Sequence, residues 1–260
     1  MREIRYEVAD GVATLTIDRP EKRNAMTYAM LAEFEASVRR ASDDPGVRAL
    51  LVTGAPGSFC AGIDLADLAD RSPDDRGRVD DRGEQRTAGL LLVSCAKPVI
   101  AAVDGPAVGM GAEFTVQADL RIASTRASFA WNFGRRGLVP DTGAGSYLLP
   151  RQIGLANALR LLFTGEKMDA SEAESLGYVL DAVDPDALPG AARDLALATA
   201  ACSPFATTRT KRLVYEGLGA DLPAHLGATR TAMTECFASA DHAEGVAAFL
   251  ERRAPNFTGS

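Results

Sequence analysis

Twice in this chain an apolar, strand-forming run ends in glycine and a helix-forming stretch follows. The first block is RALLVTGAPGSFCAGIDL (48–65) and the second is KPVIAAVDGPAVGMGAEF (97–114). The runs ALLV and PVIAAV show no polar alternation, which marks strands covered on both faces. Strands and helix-forming stretches alternate through this part of the chain, which points to an α/β architecture. A chain of 260 residues is long enough to bury roughly three quarters of its unfolded surface.

The flanking segments fit that reading. Ile4, Tyr6 and Val8 alternate with Arg5 and Glu7, and Ala13, Leu15 and Ile17 alternate with Thr14 and Thr16. With Asp10-Gly11 between them, they predict a hairpin. Thr27 is placed to cap a helix whose Leu31, Phe34, Val38 and Ala41 share one face. Leu90 to Ala96 reads as a further helix, and Leu120–Ala123 and Ser128–Ala130 read as short strands. From Thr142 onward the pattern predicts almost only helix. One segment there has a face of Leu188, Ala191, Leu195, Ala198 and Cys202; the last carries Val246, Phe249 and Leu250. The expected division is an α/β core over 1–199 and a helical region over 200–260. Between 70 and 86 the chain carries eleven charges in seventeen residues. That composition suits a solvated loop, or one wall of a ligand site.

Composition narrows the function. The net charge is −7 and no basic stripe appears, which argues against a nucleic-acid binder. Cys60, Cys95, Cys202 and Cys236 are scattered and form no CxxC pair, as expected of reduced core thiols. The start, MREIRYEVADG, is charged, and no apolar run reaches the eighteen residues of a membrane span. A cytoplasmic protein is expected. Only two histidines occur, His225 and His242, both in the last forty residues. GxxxxGK[ST], GxSxG, HExxH and the dinucleotide fingerprint are all absent. Metal cages and histidine relays are thus disfavoured, leaving carboxylates and backbone to do the chemistry.

Two loops and two acids carry a chemical suggestion. Glycine lets a loop expose backbone N–H groups, and two such loops side by side would cradle a developing oxyanion. Read singly, each loop is equally an ordinary strand-to-helix turn. Glu113, in the first turn of the second block's helix, either complements the helix dipole or serves as a buried acid or base. Asp141, after Pro140, either caps a turn or joins that chemistry. Trp131 and Phe133 read first as core aromatics.

These segments resemble the crotonase (enoyl-CoA hydratase/isomerase) superfamily. The likeness begins at IDRPEKRNAMT (17–27) and continues through FCAGIDL (59–65) and KPVIAAVDGPAVGMGAEF (97–114). It extends through GLVPDTGAGSYLLPRQIG (137–154), FTGEKMDASEAESLGYV (163–179) and EGVAAFLERRAPNFTG (244–259). The resemblance implies a spiral of ββα units with a helical C-terminal part that builds homotrimers, often paired as hexamers. It implies an acyl-CoA substrate and no metal or redox cofactor, coenzyme A being part of the substrate. The thioester oxygen would sit between the backbone N–H groups of Ile63 and Met110. Ala61, Gly62, Asp64, Leu65 and Gly109 would line the substrate site with Lys22, Arg23 and Ala25, the two cations meeting coenzyme A phosphates. Trp131 and Phe133 would border the acyl group.

One position departs from the family pattern. Hydratases of this family place water with two glutamates. Glu113 matches the first, but Phe133 stands where the second belongs. Asp141, in GLVPDTG, matches the acid of members that move double bonds or open rings. The resemblance therefore implies a Glu113/Asp141 pair that shifts a double bond. Hydration with Asp141 replacing the missing glutamate, and a non-catalytic acyl-CoA-binding role, remain as alternatives.

Overall fold

The computed structural model describes residues 3–70, 90–140 and 144–260. A hairpin opens the chain, β1 (Ile4–Ala9) and β2 (Val12–Ile17), turned by Asp10 and Gly11, both at positive φ. Helix α1 (Tyr28–Asp43) follows, its first turn capped by Thr27, whose side chain accepts the Met30 N–H. Its buried stripe is Met30, Phe34, Val38 and Ala41, with Leu31 at the margin. Next come β3 (Ala49–Gly54), α2 (Leu65–Ala69), β4 (Val99–Val103), β5 (Pro106–Val108), α3 (Met110–Gln117), β6 (Leu120–Ser124) and β7 (Ser128–Ala130).

The main sheet runs β1-β2-β3-β4-β6-β9, where β9 is Ala182–Val183. Only the β1–β2 pair is antiparallel; every later neighbour is parallel. A smaller sheet orders β5-β7-β8, with β8 at Lys167–Asp169. Both faces of the main sheet are covered, as the unalternated runs require. Leu50, Val52, Val99 and Ala101 face Phe34, Val38, Phe114 and Val116. Leu51, Ile100 and Ala102 belong to a second core with Leu188, Ala192, Ala196 and Ala200.

The C-terminal half is made of α4 (Ala144–Tyr147), α5 (Leu149–Ile153), α6 (Leu155–Thr164), α7 (Ala170–Ser175), α8 (Leu188–Ala200), α9 (Pro204–Gly217), α10 (Leu222–Phe237) and α11 (Ala240–Glu251). No helix among the described residues is long and apolar enough to cross a membrane.

Beyond Thr142 the chain is mostly helix as expected, with the short strands β8 and β9 each completing a sheet edge. Two expectations change. Leu90–Ala96 forms turns rather than a helix: the Leu92 N–H goes to the Gln117 side chain at 3.1 Å, and Pro98 follows closely. In α8 the buried stripe is Leu188, Ala192, Ala196 and Ala200, with Ala191 and Leu195 only flanking it. Three alanines in that stripe let the helix lie close to the sheet.

The parallel order fixes where function can sit. Because β3 and β4 are parallel neighbours, the loops leaving both open at the same end of the sheet. That is the end where α/β sheets bind ligands.

Candidate active site

The loop after β3 lies directly against β5. Cys60 bridges Ala107, with the Cys60 N–H on Pro106 O and the Val108 N–H on Cys60 O at 2.9 Å. At Gly62 the backbone takes φ +98, a conformation costly for any residue with a Cβ. The chain then pairs on its other side: Met26 donates to Gly62 O at 2.8 Å, and Asp64 donates to Met26 O at 2.8 Å. In this parallel bridge Met26 spends both of its backbone groups on residues 62 and 64. The N–H of Ile63 is therefore turned away from Met26, and it meets no acceptor among the described residues.

Met110 supplies a second open donor. It is the first residue of α3, behind Gly109 at φ +57, and a first-turn N–H has no intrahelical acceptor. A Cβ on Gly62 would stand only 3.7 Å from Met110 N, so the two donor segments are neighbours. Ile63 and Met110 both line a cavity of about 430 Å³. Leu65, Leu68, Phe133 and Leu138 supply much of its apolar wall, and Tyr28, Asn132 and Arg136 its polar groups. Two backbone donors at the border of a largely apolar cavity can polarise a carbonyl strongly, because little water competes with them.

Glu113 lies one turn along α3, its own N–H bonded to Gly109 O at 3.0 Å. Its side chain is wholly shielded from solvent. Oε2 accepts the Gly145 N–H at 3.0 Å. The fit is tight: a Cβ on Gly145 would fall 2.1 Å from Glu113 Oε1 and 3.3 Å from Pro140 Cβ. Glu113 does not itself border the cavity; it sits behind the helix end that does. Tyr178, fully buried, shares a 2.7 Å hydrogen bond with Thr115 Oγ1 on the same helix. Burial holds its hydroxyl well above the ordinary tyrosine range, so it stays protonated.

The loops are also anchored from the sheet side. Asp104, at the end of β4, accepts the Gly57 N–H at 3.0 Å, the Ser124 hydroxyl at 2.8 Å and two bonds from Arg126. Those Arg126 bonds bring its carboxyl down to about 2.

Of the residues expected at the site, the fold gathers Ala61, Gly62, Ile63, Leu65, Gly109, Met110 and Phe133 around one cavity. Phe133 is 7% exposed and presents an apolar ring there. Lys22, Arg23 and Ala25 lie off the cavity on the adjacent segment, with both cationic side chains exposed. Asp64 spends its oxygens inside the protein, Oδ1 on the Ala66 N–H and Oδ2 on Arg19. Trp131 is fully buried, edge-on to Tyr178 at 5.9 Å, and does not reach the cavity. Asp141 lies outside the described residues. The sequence reading missed Tyr28, Asn132, Arg136 and Leu138 as wall residues, and Gly145 as the partner of Glu113. Asn132, Arg136 and Leu138 flank Phe133 in sequence, which was the available signal; Gly145 had none.

Comparison with known proteins points one way. The family model described as "Enoyl-CoA hydratase/isomerase" matches residues 7–260. A Rhodobacter capsulatus protein named "Probable enoyl-CoA hydratase" is 40% identical over 259 residues, covering 98% of each chain. The Escherichia coli protein named "1,2-epoxyphenylacetyl-CoA isomerase" is 37% identical, over 100% of this chain and 99% of its own. Among solved structures, the enoyl-CoA hydratase of Mycobacterium tuberculosis H37Rv superposes with a TM-score of 0.89 at 34% identity, covering 99% of both chains.

Proposed function

The chain belongs to the enoyl-CoA hydratase/isomerase family of enzymes and has the crotonase fold, and from that premise we propose that it shifts a carbon–carbon double bond within an acyl-CoA thioester. The thioester carbonyl sits between the N–H groups of Ile63 and Met110. Polarised there, it makes the γ-hydrogen of a 2-enoyl group, or the α-hydrogen of a 3-enoyl group, acidic. Glu113 and Asp141 handle the proton: one removes it, and the same or the other returns it two carbons away. The two N–H donors carry the dienolate charge in between.

Phe133 carries the choice of reaction. An apolar ring on the cavity wall, where a hydratase needs its second glutamate, leaves an attacking water with one fewer acid or base and keeps the site drier. The relative named as a 1,2-epoxyphenylacetyl-CoA isomerase supports the coarser part of this reading, isomerisation rather than addition of water, on a substrate that is an epoxide. Hydration with Asp141 in the second role is the alternative, supported by the relatives named as hydratases. Neither reaction requires a metal or redox cofactor. Lys22 and Arg23, exposed and without a side-chain partner among the described residues, suit the phosphates of coenzyme A. The exposed apolar side chains Phe237, Val246, Phe249 and Leu250 suit burial in a trimer or hexamer. We assign the enzyme to the cytoplasm.

A panel of 2-enoyl- and 3-enoyl-CoA thioesters, followed by the absorbance of the conjugated double bond, tests the proposal. Conversion of 3-enoyl to 2-enoyl thioester supports it. Rapid loss of 2-enoyl absorbance through hydration, with no 3-enoyl conversion, would contradict it. Binding without turnover of any thioester would favour a non-catalytic role.

A further inference from the structure

We propose that Arg19 and Asp64 form a charged clamp that positions the Ile63 N–H donor, an inference that rests on the oxyanion role given to that donor above. Met26 and Ile63 face each other in the parallel bridge. Ala25 precedes Met26, and Asp64 follows Ile63. One nitrogen, Arg19 Nη1, reaches both flanks: Asp64 Oδ2 at 2.7 Å and Ala25 O at 3.1 Å. The guanidinium thus spans the bridge at the point where Ile63 is presented to the cavity.

Arg19 is itself held. Its N–H donates to Asn24 Oδ1 at 2.9 Å and its carbonyl accepts the Asn24 N–H at 2.9 Å. The buried Asn24 amide donates in turn to Ala55 O and Ser58 O, at the start of the same loop. The 19–26 segment is therefore tied to the loop at both ends, through Asn24 at residues 55–58 and through Arg19 at residue 64. The Arg19 and Asp64 side chains are only 15% and 14% exposed, so water weakens their attraction less than it would at an open surface. The Arg19 bond also holds the Asp64 carboxyl below the ordinary range, as a partnered carboxylate requires.

A cap on α2 does not account for this. Oδ1 of Asp64 already performs that task on the Ala66 N–H, and Arg19 takes no part in it. What Arg19 adds is registration of residues 62–64 against residues 25–26. Small displacements of an oxyanion donor are expensive in rate and cheap in binding. Arg19 Nε meanwhile pairs with Glu3 at 3.2 Å, so the planar fork serves two sides at once, which a lysine ammonium cannot do without loss.

The test compares Asp64→Asn, Arg19→Lys and Arg19→Ala with the unaltered enzyme. It uses turnover of a 3-enoyl-CoA and the infrared carbonyl stretch of bound butyryl-CoA, a saturated thioester that cannot react. In the unaltered enzyme the stretch moves to lower frequency on binding. Asp64→Asn and Arg19→Ala lower kcat by about tenfold or more, shift KM much less, and return the carbonyl stretch toward its value in water. Arg19→Lys falls between. Lost turnover with the carbonyl shift intact would overturn the clamp, and so would unchanged kcat in Asp64→Asn. If Arg19→Ala does not fold, Asp64→Asn, which keeps its shape and its cap oxygen, decides alone. Absence of any carbonyl shift in the unaltered enzyme would instead remove the oxyanion reading beneath it.

Discussion

The Gly145 N–H donates to Glu113 Oε2 at 3.0 Å, and the place where a Cβ of residue 145 would stand is 2.1 Å from Glu113 Oε1. A carboxylate on one helix is thus held by the backbone of another, with no room for a methyl group between them. Gly145→Ala must push the carboxylate off its donor. Overpacking of this kind costs about 1–3 kcal/mol. The expected outcome is a lower Tm with a larger relative loss of kcat, measured by thermal unfolding and by 3-enoyl-CoA turnover.

Glu113→Gln changes charge and proton affinity but little of the shape. A general acid or base contributes about 10²–10⁴-fold in rate. The variant is expected to lose turnover within that range while still binding acyl-CoA, as titration calorimetry would show. A variant that retained full turnover would remove Glu113 from the proton path.

If the enzyme isomerises because it lacks a second glutamate, Phe133→Glu supplies one. The site is 93% shielded, since Phe133 is only 7% exposed, so the new carboxyl would be pushed up toward neutral by burial. Hydration of a 2-enoyl-CoA is expected to rise by about tenfold or more over the unaltered enzyme, read as 3-hydroxyacyl-CoA formed. No rise would mean that Phe133 does not set the choice of reaction.

Acid stability should depend on Asp104. Its carboxyl is depressed from 3.8 to about 2 in the folded chain, chiefly by the Arg126 bonds. A depressed carboxyl stabilises the fold above its unfolded value, and that contribution is lost as pH falls through the folded value. The window is therefore roughly pH 4 down to pH 2. Because Arg126 is half exposed, the contribution at neutral pH is about 1 kcal/mol. Arg126→Ala should shift acid unfolding, followed by circular dichroism, to higher pH.

Local pattern carried much of the fold, and long-range contact carried what was missed. The β1–β2 hairpin, the Thr27 cap and the unalternated strands β3 and β4 follow from neighbours in sequence, and the structure holds each of them. The two glycine loops were legible as well, because parallel strands bring their ends together. The Leu90–Ala96 segment misled because its helical pattern loses to a tertiary bond, Leu92 N–H to Gln117. Strands β8 and β9, three and two residues long, are too short for a period to show. At the site, Gly145 meets Glu113 across 32 residues and Arg19 meets Asp64 across 45. No spacing rule links residues that far apart. A polar residue such as Asn132 beside an apolar one also says nothing of which faces the cavity until β7 and the turn after it are placed.

Dienolate chemistry and addition of water differ at the γ-carbon, where only the first exchanges hydrogen with solvent. A 2-enoyl-CoA is incubated with the enzyme in deuterium oxide and followed by proton NMR. An enzyme that works through the dienolate loses the γ-proton signals and accumulates 3-enoyl thioester faster than any 3-hydroxyacyl product forms. Rapid formation of the 3-hydroxyacyl thioester with the γ-protons retained would contradict it.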